Sequence, residues 1–264
     1  MKIAVYQFAP IWANIPANLE NISRVVASRK ADLWILPELA TTGYVFNELR
    51  EVQKLAEDLK KGHTTATLRE LTHQHQTAIV LGLAEKYGDR IFNSAVVFNR
   101  GELCAIYRKA HLFYEEKKWF IPGVEPPPLV DIQGVKVSVM ICYDWLFPEM
   151  ARSLALRGAQ LIAHPANLVL PYCQNAMLTR SLENRVFTAT ANRIGSEGIG
   201  KKKLTFTGWS QITAPDGKRL GRLSRDREGI LIKTIDPKLA LDKSLTSLND
   251  IFADRRPEIY RLGE

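Results

Sequence analysis

Short, wholly apolar runs alternate along this chain with segments whose apolar residues recur at helical spacing, the pattern of stacked sheet and helix layers. Residues 2–8 (KIAVYQF) read as a strand. Asn18 is placed as the N-cap of a helix to about residue 30, with Leu19, Ile22, Val25 and Val26 on one face. Residues 33–36 (LWIL) have no polar position, as expected of a strand buried on both faces, and the run stops at Pro37 and Glu38. Helical stretches at about 48–60 and 67–76 precede strands near 78–84, 93–98 and 104–107 in meander-like succession. A strand over 135–141 leads into a helix at about 148–157, whose first position suits Pro148. A strand at 161–163, a long helical stretch at 174–192 and strands at 204–213 and 230–235 come next, with Pro215, Asp216 and Gly217 marking a turn.

No linker, repeat or low-complexity segment interrupts residues 1–264, which therefore read as one domain. The tail, residues 249–264, carries Ile251, Phe252 and Tyr260, which would be poorly placed in free solution, so it is expected at a subunit interface. With 264 residues, 46% of them hydrophobic, the chain is long enough for an independent core. Cys104, Cys142 and Cys173 are an odd, widely spaced set without CxxC, so no disulfide framework or zinc ribbon is encoded. A reducing, cytoplasmic location is expected, and the amino terminus shows neither a standard export signal nor a membrane span.

The net charge of +8 invites a nucleic-acid reading, but Lys and Arg are scattered and the single short block is Lys201 to Lys203. No nucleic-acid partner is expected. His73 and His75 face different sides of a helix, and no HExxH, P-loop or GxGxxG occurs, so neither a metal nor another cofactor is expected.

Three segments place a reactive side chain at the end of an apolar strand: ILPE (Glu38), YRKAH (Lys109) and VMICYD (Cys142). In layered α/β folds strand ends line a common crevice, where a carboxylate, an ammonium and a thiol could meet. Taken singly, Glu38 is more often a helix-start acid or ion-pair partner, Lys109 a solvated charge and Cys142 a small buried hydrophobe.

Together, LPELATTGY, YRKAHLF and VMICYDWLFPE resemble the nitrilase superfamily of carbon-nitrogen hydrolases, which use a Glu-Lys-Cys triad. GLAEKYGDRIFNSAVVF, EKKWFIPG, HPANLVLP, RSLENRVF and TFTGWSQITAPDG extend the resemblance in the family's order. It implies an α/β fold, a four-layer αββα sandwich of nitrilase type, assembled as a homodimer or higher homo-oligomer. It also implies that Glu38 is the base, Cys142 the nucleophile and Lys109 an oxyanion donor, with Glu116 positioning Lys109 or the substrate nitrogen. Glu115 to Lys118 read without the resemblance as an exposed charge cluster.

The chemistry agrees with the residue types. A thiol near pKa 8.5 is only about 3% thiolate at neutral pH, so a base or cation must activate it. Tyr44, Tyr114, Tyr143 and Trp145 are candidate walls of a small apolar substrate site, or else ordinary core. His111, between Ala110 and Leu112, is a weaker candidate base. Arg180, Glu183, Asn184 and Arg185 suit local helix pairs. Cys142, Tyr143 and Asp144 differ from the Cys-Trp-Glu of true nitrilases, which favours a small amide over a nitrile as substrate. A catalytically idle binding or scaffold relative is the reading from a different class.

Overall fold

Successive side chains of a strand point to opposite faces, so a strand apolar at every position needs cover on both sides. The computed structural model describes residues 1–198, 200 and 203–260 and shows how that cover is supplied. Lys201 and Lys202 of the basic block, and residues 261–264 of the tail, lie outside the described residues.

The chain begins with β1 (Lys2–Gln7), α1 (Ile15–Ser28), β2 (Leu33–Ile35), α2 (Leu49–Leu55), α3 (His63–Gln74), β3 (Ala78–Tyr87), β4 (Arg90–Asn99), β5 (Glu102–Arg108) and the short α4 (Glu116–Trp119). It continues with β6 (Leu129–Ile132), β7 (Val135–Val139), a 3₁₀ turn (Cys142–Leu146), α5 (Pro148–Leu156), β8 (Leu161–Ala166), α6 (Cys173–Asn184) and β9 (Phe187–Asn192). The two-residue strands β10 (Ser196–Glu197) and β11 (Leu204–Thr205) pair with each other, before β12 (Gln211–Thr213), β13 (Arg219–Arg222) and β14 (Gly229–Thr234).

Two six-stranded sheets result, in the orders β14-β1-β2-β3-β4-β5 and β13-β12-β9-β8-β7-β6. Ile3, Val5, Ile35 and Val80 of the first sheet share one core with Val137, Val139, Leu161 and Ala163 of the second. The alternate residues Ala4, Tyr6, Trp34 and Ile79 instead meet Ile22 and Val25 of α1 and Leu68 and Leu71 of α3. α5 and α6 pack on the second sheet through Ala151, Leu154 and Met177. The architecture is thus the expected αββα sandwich. In the tail, Phe252 packs against this chain's own main core, under Arg152 and Lys243, while Tyr260 is exposed.

The structure corrects some expected boundaries. Asn14, not Asn18, caps α1, accepting the Ala17 N–H at 3.2 Å. Asn18 is buried inside the helix, where its amide bonds Ile11 and the Thr41 carbonyl and so satisfies loop backbone. The helical stretch expected over 174–192 ends at Asn184, because Arg185 turns left-handed (φ 48°) and FTATAN extends as β9, parallel to β8. There β-branched alternation and sheet pairing override the helical reading. The stretch expected over 48–60 ends at Leu55. β6 and β13 are additional edge strands, β6 turning into β7 where Asp131 Oδ1 accepts the Gly134 N–H at 2.8 Å.

One close approach positions the segment after β2. That segment crosses β3 at Gly82, whose N–H donates to the Pro37 carbonyl at 3.1 Å and whose carbonyl accepts the Ala40 N–H at 2.8 Å. A Cβ at residue 82 would lie 2.5 Å from Glu38 Cα, so only glycine fits without moving Glu38. Gly82→Ala is expected to destabilise the fold by about 1–3 kcal/mol in urea unfolding and to displace Glu38.

Candidate active site

Glu38 lies beyond the end of β2, Lys109 beyond β5 and Cys142 beyond β7, so two come from one sheet and one from the other. Glu38 and Lys109 are fully buried and Cys142 is 4% exposed. Lys109 Nζ lies 2.6 Å from Glu38 Oε1 and 2.8 Å from Glu116 Oε1. The Tyr44 hydroxyl donates to the same Glu116 oxygen at 2.6 Å. Asn93, on β4, donates to Glu38 Oε1 at 2.7 Å and reaches Glu116 Oε2 at 3.4 Å.

Two carboxylates therefore share one ammonium out of contact with water. Burial alone would strip the charge from Lys109, but Glu116 and Glu38 outweigh it and hold its pKa well above the ordinary lysine value. Burial raises the Glu116 pKa, Lys109 opposing it. Burial also pushes the Cys142 thiol well up, reinforced by the charge of Glu38 and opposed by Lys109 and the Asn167 backbone N–H, so Cys142 rests as a thiol.

Cys142 stands at a sharp corner between β7 and the 3₁₀ turn, with φ at 42° in the left-handed region. Such a backbone costs a non-glycine residue about 1–3 kcal/mol unless its surroundings hold it. Asp144, fully buried, supplies the hold: Oδ2 accepts the Ile141 N–H at 2.9 Å and the Tyr107 hydroxyl at 2.8 Å. Asp144 Oδ1 accepts the His111 N–H at 3.2 Å and faces His111 Nδ1 at 2.7 Å. His111, stacked on Phe147 at 3.7 Å, thus braces the corner.

A cavity of about 310 Å³ opens at Cys142, walled by Phe113, Tyr143, Trp145, Leu168 and Val169 among others. Of the four aromatic residues expected at the substrate, Tyr143 and Trp145 line it. Tyr44 and Tyr114 instead line a separate depression of about 170 Å³ beside Glu116, with Tyr44 buried and Tyr114 69% exposed. Among the described residues no group of three or more His, Cys, Asp or Glu is arranged to hold a metal, and no helix is long and apolar enough to cross a membrane.

The carbon-nitrogen hydrolase family profile matches residues 2–241. The chain belongs to the carbon-nitrogen hydrolase family. It is 43% identical over 263 residues to a nitrilase of Pyrococcus abyssi (98% of this chain, 99% of that one). It is 33% identical over 231 residues to an (R)-stereoselective amidase of a Pseudomonas species (86% of this chain, 82% of that one). A cysteine-to-alanine mutant of the Nesterenkonia AN1 amidase, of the nitrilase superfamily, superposes with a TM-score of 0.84 at 30% identity, covering 99% of this chain and 96% of that one. Another structure of that amidase carries the acetamide moiety of fluoroacetamide on its active-site cysteine.

Several residues of this hydrolase that build the site carry no chemical signature of their own. Asn93 and Asn167 are ordinary polar residues in sequence, and their signal is a polar side chain inside the apolar runs IFNSAVVF and HPANLVLP. His164, on β8, is fully buried; its Nε2 lies 2.9 Å from the Cys142 carbonyl and its Nδ1 3.1 Å from Thr190 Oγ1. A carbonyl only accepts, so Nε2 carries the proton, and burial lowers the pKa from 6.5 to about 4. On α6, Arg180 pairs with Glu183 at 2.8 Å and donates to the Trp145 carbonyl at 3.2 Å, tying the helix to the 3₁₀ turn.

Between pH 6.5 and 4 the unfolded chain protonates this histidine and the folded one does not. The stability it contributes is intact above pH 6.5 and is lost as pH falls toward 4, by about 3 kcal/mol in all. His164→Gln is therefore expected to have a flatter acid limb than wild type when urea unfolding is measured from pH 7 to pH 4.

Proposed function

We propose that this hydrolase cleaves the C–N bond of a small amide, giving a carboxylic acid and ammonia through a thioester on Cys142. The reading takes residues 1–264 as one hydrolase domain. The observation that carries it is the division of roles within Glu38. Oε1 takes both donors, Lys109 and Asn93, whereas the buried Oε2 has no hydrogen-bond partner among the described residues. A carboxylate held by one oxygen and free at the other is suited to take a proton.

In this mechanism Glu38 removes the Cys142 proton as sulfur attacks the amide carbon. Two of the three N–H groups of Lys109 bond Glu38 and Glu116, leaving the third for the developing oxyanion. The Tyr143 N–H, in the first turn of the 3₁₀ segment where amides lack intrahelical acceptors, is the second donor. Glu38 returns the proton to the departing nitrogen, and ammonia leaves. Water, deprotonated by Glu38, then attacks the thioester, releasing the acid and restoring the thiol. Glu116 holds Lys109 in place.

Covalent addition at the active-site cysteine of the Nesterenkonia amidase supports this reading. The Pyrococcus relative favours a second one, in which a nitrile is attacked by the same sulfur and passes through a thioimidate.

Ammonia release and mass spectrometry on a panel of small amides and nitriles test both. Wild type is expected to release ammonia and carry a transient acyl mass on Cys142, and Cys142→Ala to remain folded without turnover. Lys109→Ala is expected to lose on the order of a hundred- to a thousand-fold in kcat. Ammonia release that survives in Cys142→Ala rejects the cysteine mechanism, and no turnover of any amide or nitrile favours a binding or scaffold role.

A further inference from the structure

Asn167 stands just past the end of β8, lines the cavity at Cys142 and is 2% exposed. Its Nδ2 donates to the Glu38 carbonyl at 2.9 Å. That carbonyl can only accept, so the bond decides which arm of the carboxamide is nitrogen and leaves Oδ1 as the other. Asn167 Oδ1 is buried without a hydrogen-bond partner among the described residues, as is Glu38 Oε2. Unpaired buried acceptors cost stability, and two of them on side-by-side residues of one site call for a functional reason. Other buried side-chain atoms, Asn93 Oδ1 among them, are also unpaired among the described residues, but of all these residues only Asn167 belongs to the wall of the cavity at Cys142, and Glu38 is the residue it is bonded to.

We propose that Asn167 Oδ1 accepts an N–H of the substrate carboxamide and makes the site select primary amides over nitriles and secondary amides. The inference rests on the amide-hydrolase reading of this site. With the substrate carbonyl held by Lys109 and the Tyr143 N–H, its NH₂ group turns toward Glu38. One N–H then meets Glu38 Oε2 and the other Asn167 Oδ1. A secondary amide fills one acceptor, and a nitrile, having no N–H, fills neither. Among the described residues the cavity wall carries no charged side chain, which suits an amide whose carried group is uncharged and largely apolar.

The test compares wild type and Asn167→Ala on three substrates with one acyl skeleton: butyramide, butyronitrile and p-nitrophenyl butyrate. The expected result is a fall in kcat/KM for the amide about tenfold to a hundredfold larger than for the ester or the nitrile. An equal fall on all three overturns the proposal and leaves the hydrolase reading standing. Wild type that releases no ammonia from any small amide overturns both. Should Asn167→Ala fail to fold, calorimetry on Cys142→Ala decides. There butyramide is expected to bind about tenfold tighter than 2-pentanone, in which a methyl replaces NH₂, and equal affinities overturn the proposal.

Discussion

A single ammonium shared by two buried carboxylates organises this site. Lys109 is stable as a cation inside the protein only because Glu38 and Glu116 flank it. The carboxylates are tolerable only because Lys109, Tyr44 and Asn93 donate to them. Breaking such a buried set by removing one member commonly costs about 3–5 kcal/mol, since the rest stay desolvated without a partner. The charge cluster thus binds the ends of β2 and β5, the start of α4 and the loop carrying Tyr44 to one geometry.

The corner that carries Cys142 is built on a different principle. Cys142 sits in a left-handed conformation that nothing in its own side chain favours, and the strain is held by neighbours. Asp144 gathers donors from Ile141, Tyr107 and His111, and His164 donates to the Cys142 carbonyl. None of these groups needs to touch a substrate. Together they hold the thiol at the wall of an apolar cavity, where burial raises its pKa well above the ordinary thiol value.

Much of this architecture is legible in particular residues. LWIL has no polar position, and the structure buries it on both faces, between α1 and α3 on one side and the second sheet on the other. Of the reactive side chains at the ends of apolar strands, Glu38 and Lys109 meet at 2.6 Å, and Cys142 stands in the wall of the cavity that Asn167, bonded to the Glu38 carbonyl, also lines. The stretches that depart from expectation are those where tertiary pairing outweighs local pattern. FTATAN comes after a helix without a break in sequence and becomes a strand because β8 offers it a parallel partner. Tyr114, soon after Lys109 in sequence, is turned outward, while Tyr44, soon after Glu38, reaches in to Glu116.

Local sequence by itself determined the layered class, the strand ends that bear chemistry and, by resemblance, the family, because periodicity and motif order are properties of neighbouring residues. Only the tertiary structure decided that Oε1 of Glu38 is occupied while Oε2 has no hydrogen-bond partner among the described residues, that burial lowers the His164 pKa, and that Asn93 and Asn167 stand beside Glu38. Those facts depend on hydrogen-bond partners drawn from both sheets and on exclusion of water. The distances that set them are between residues far apart in the chain, which no local pattern records.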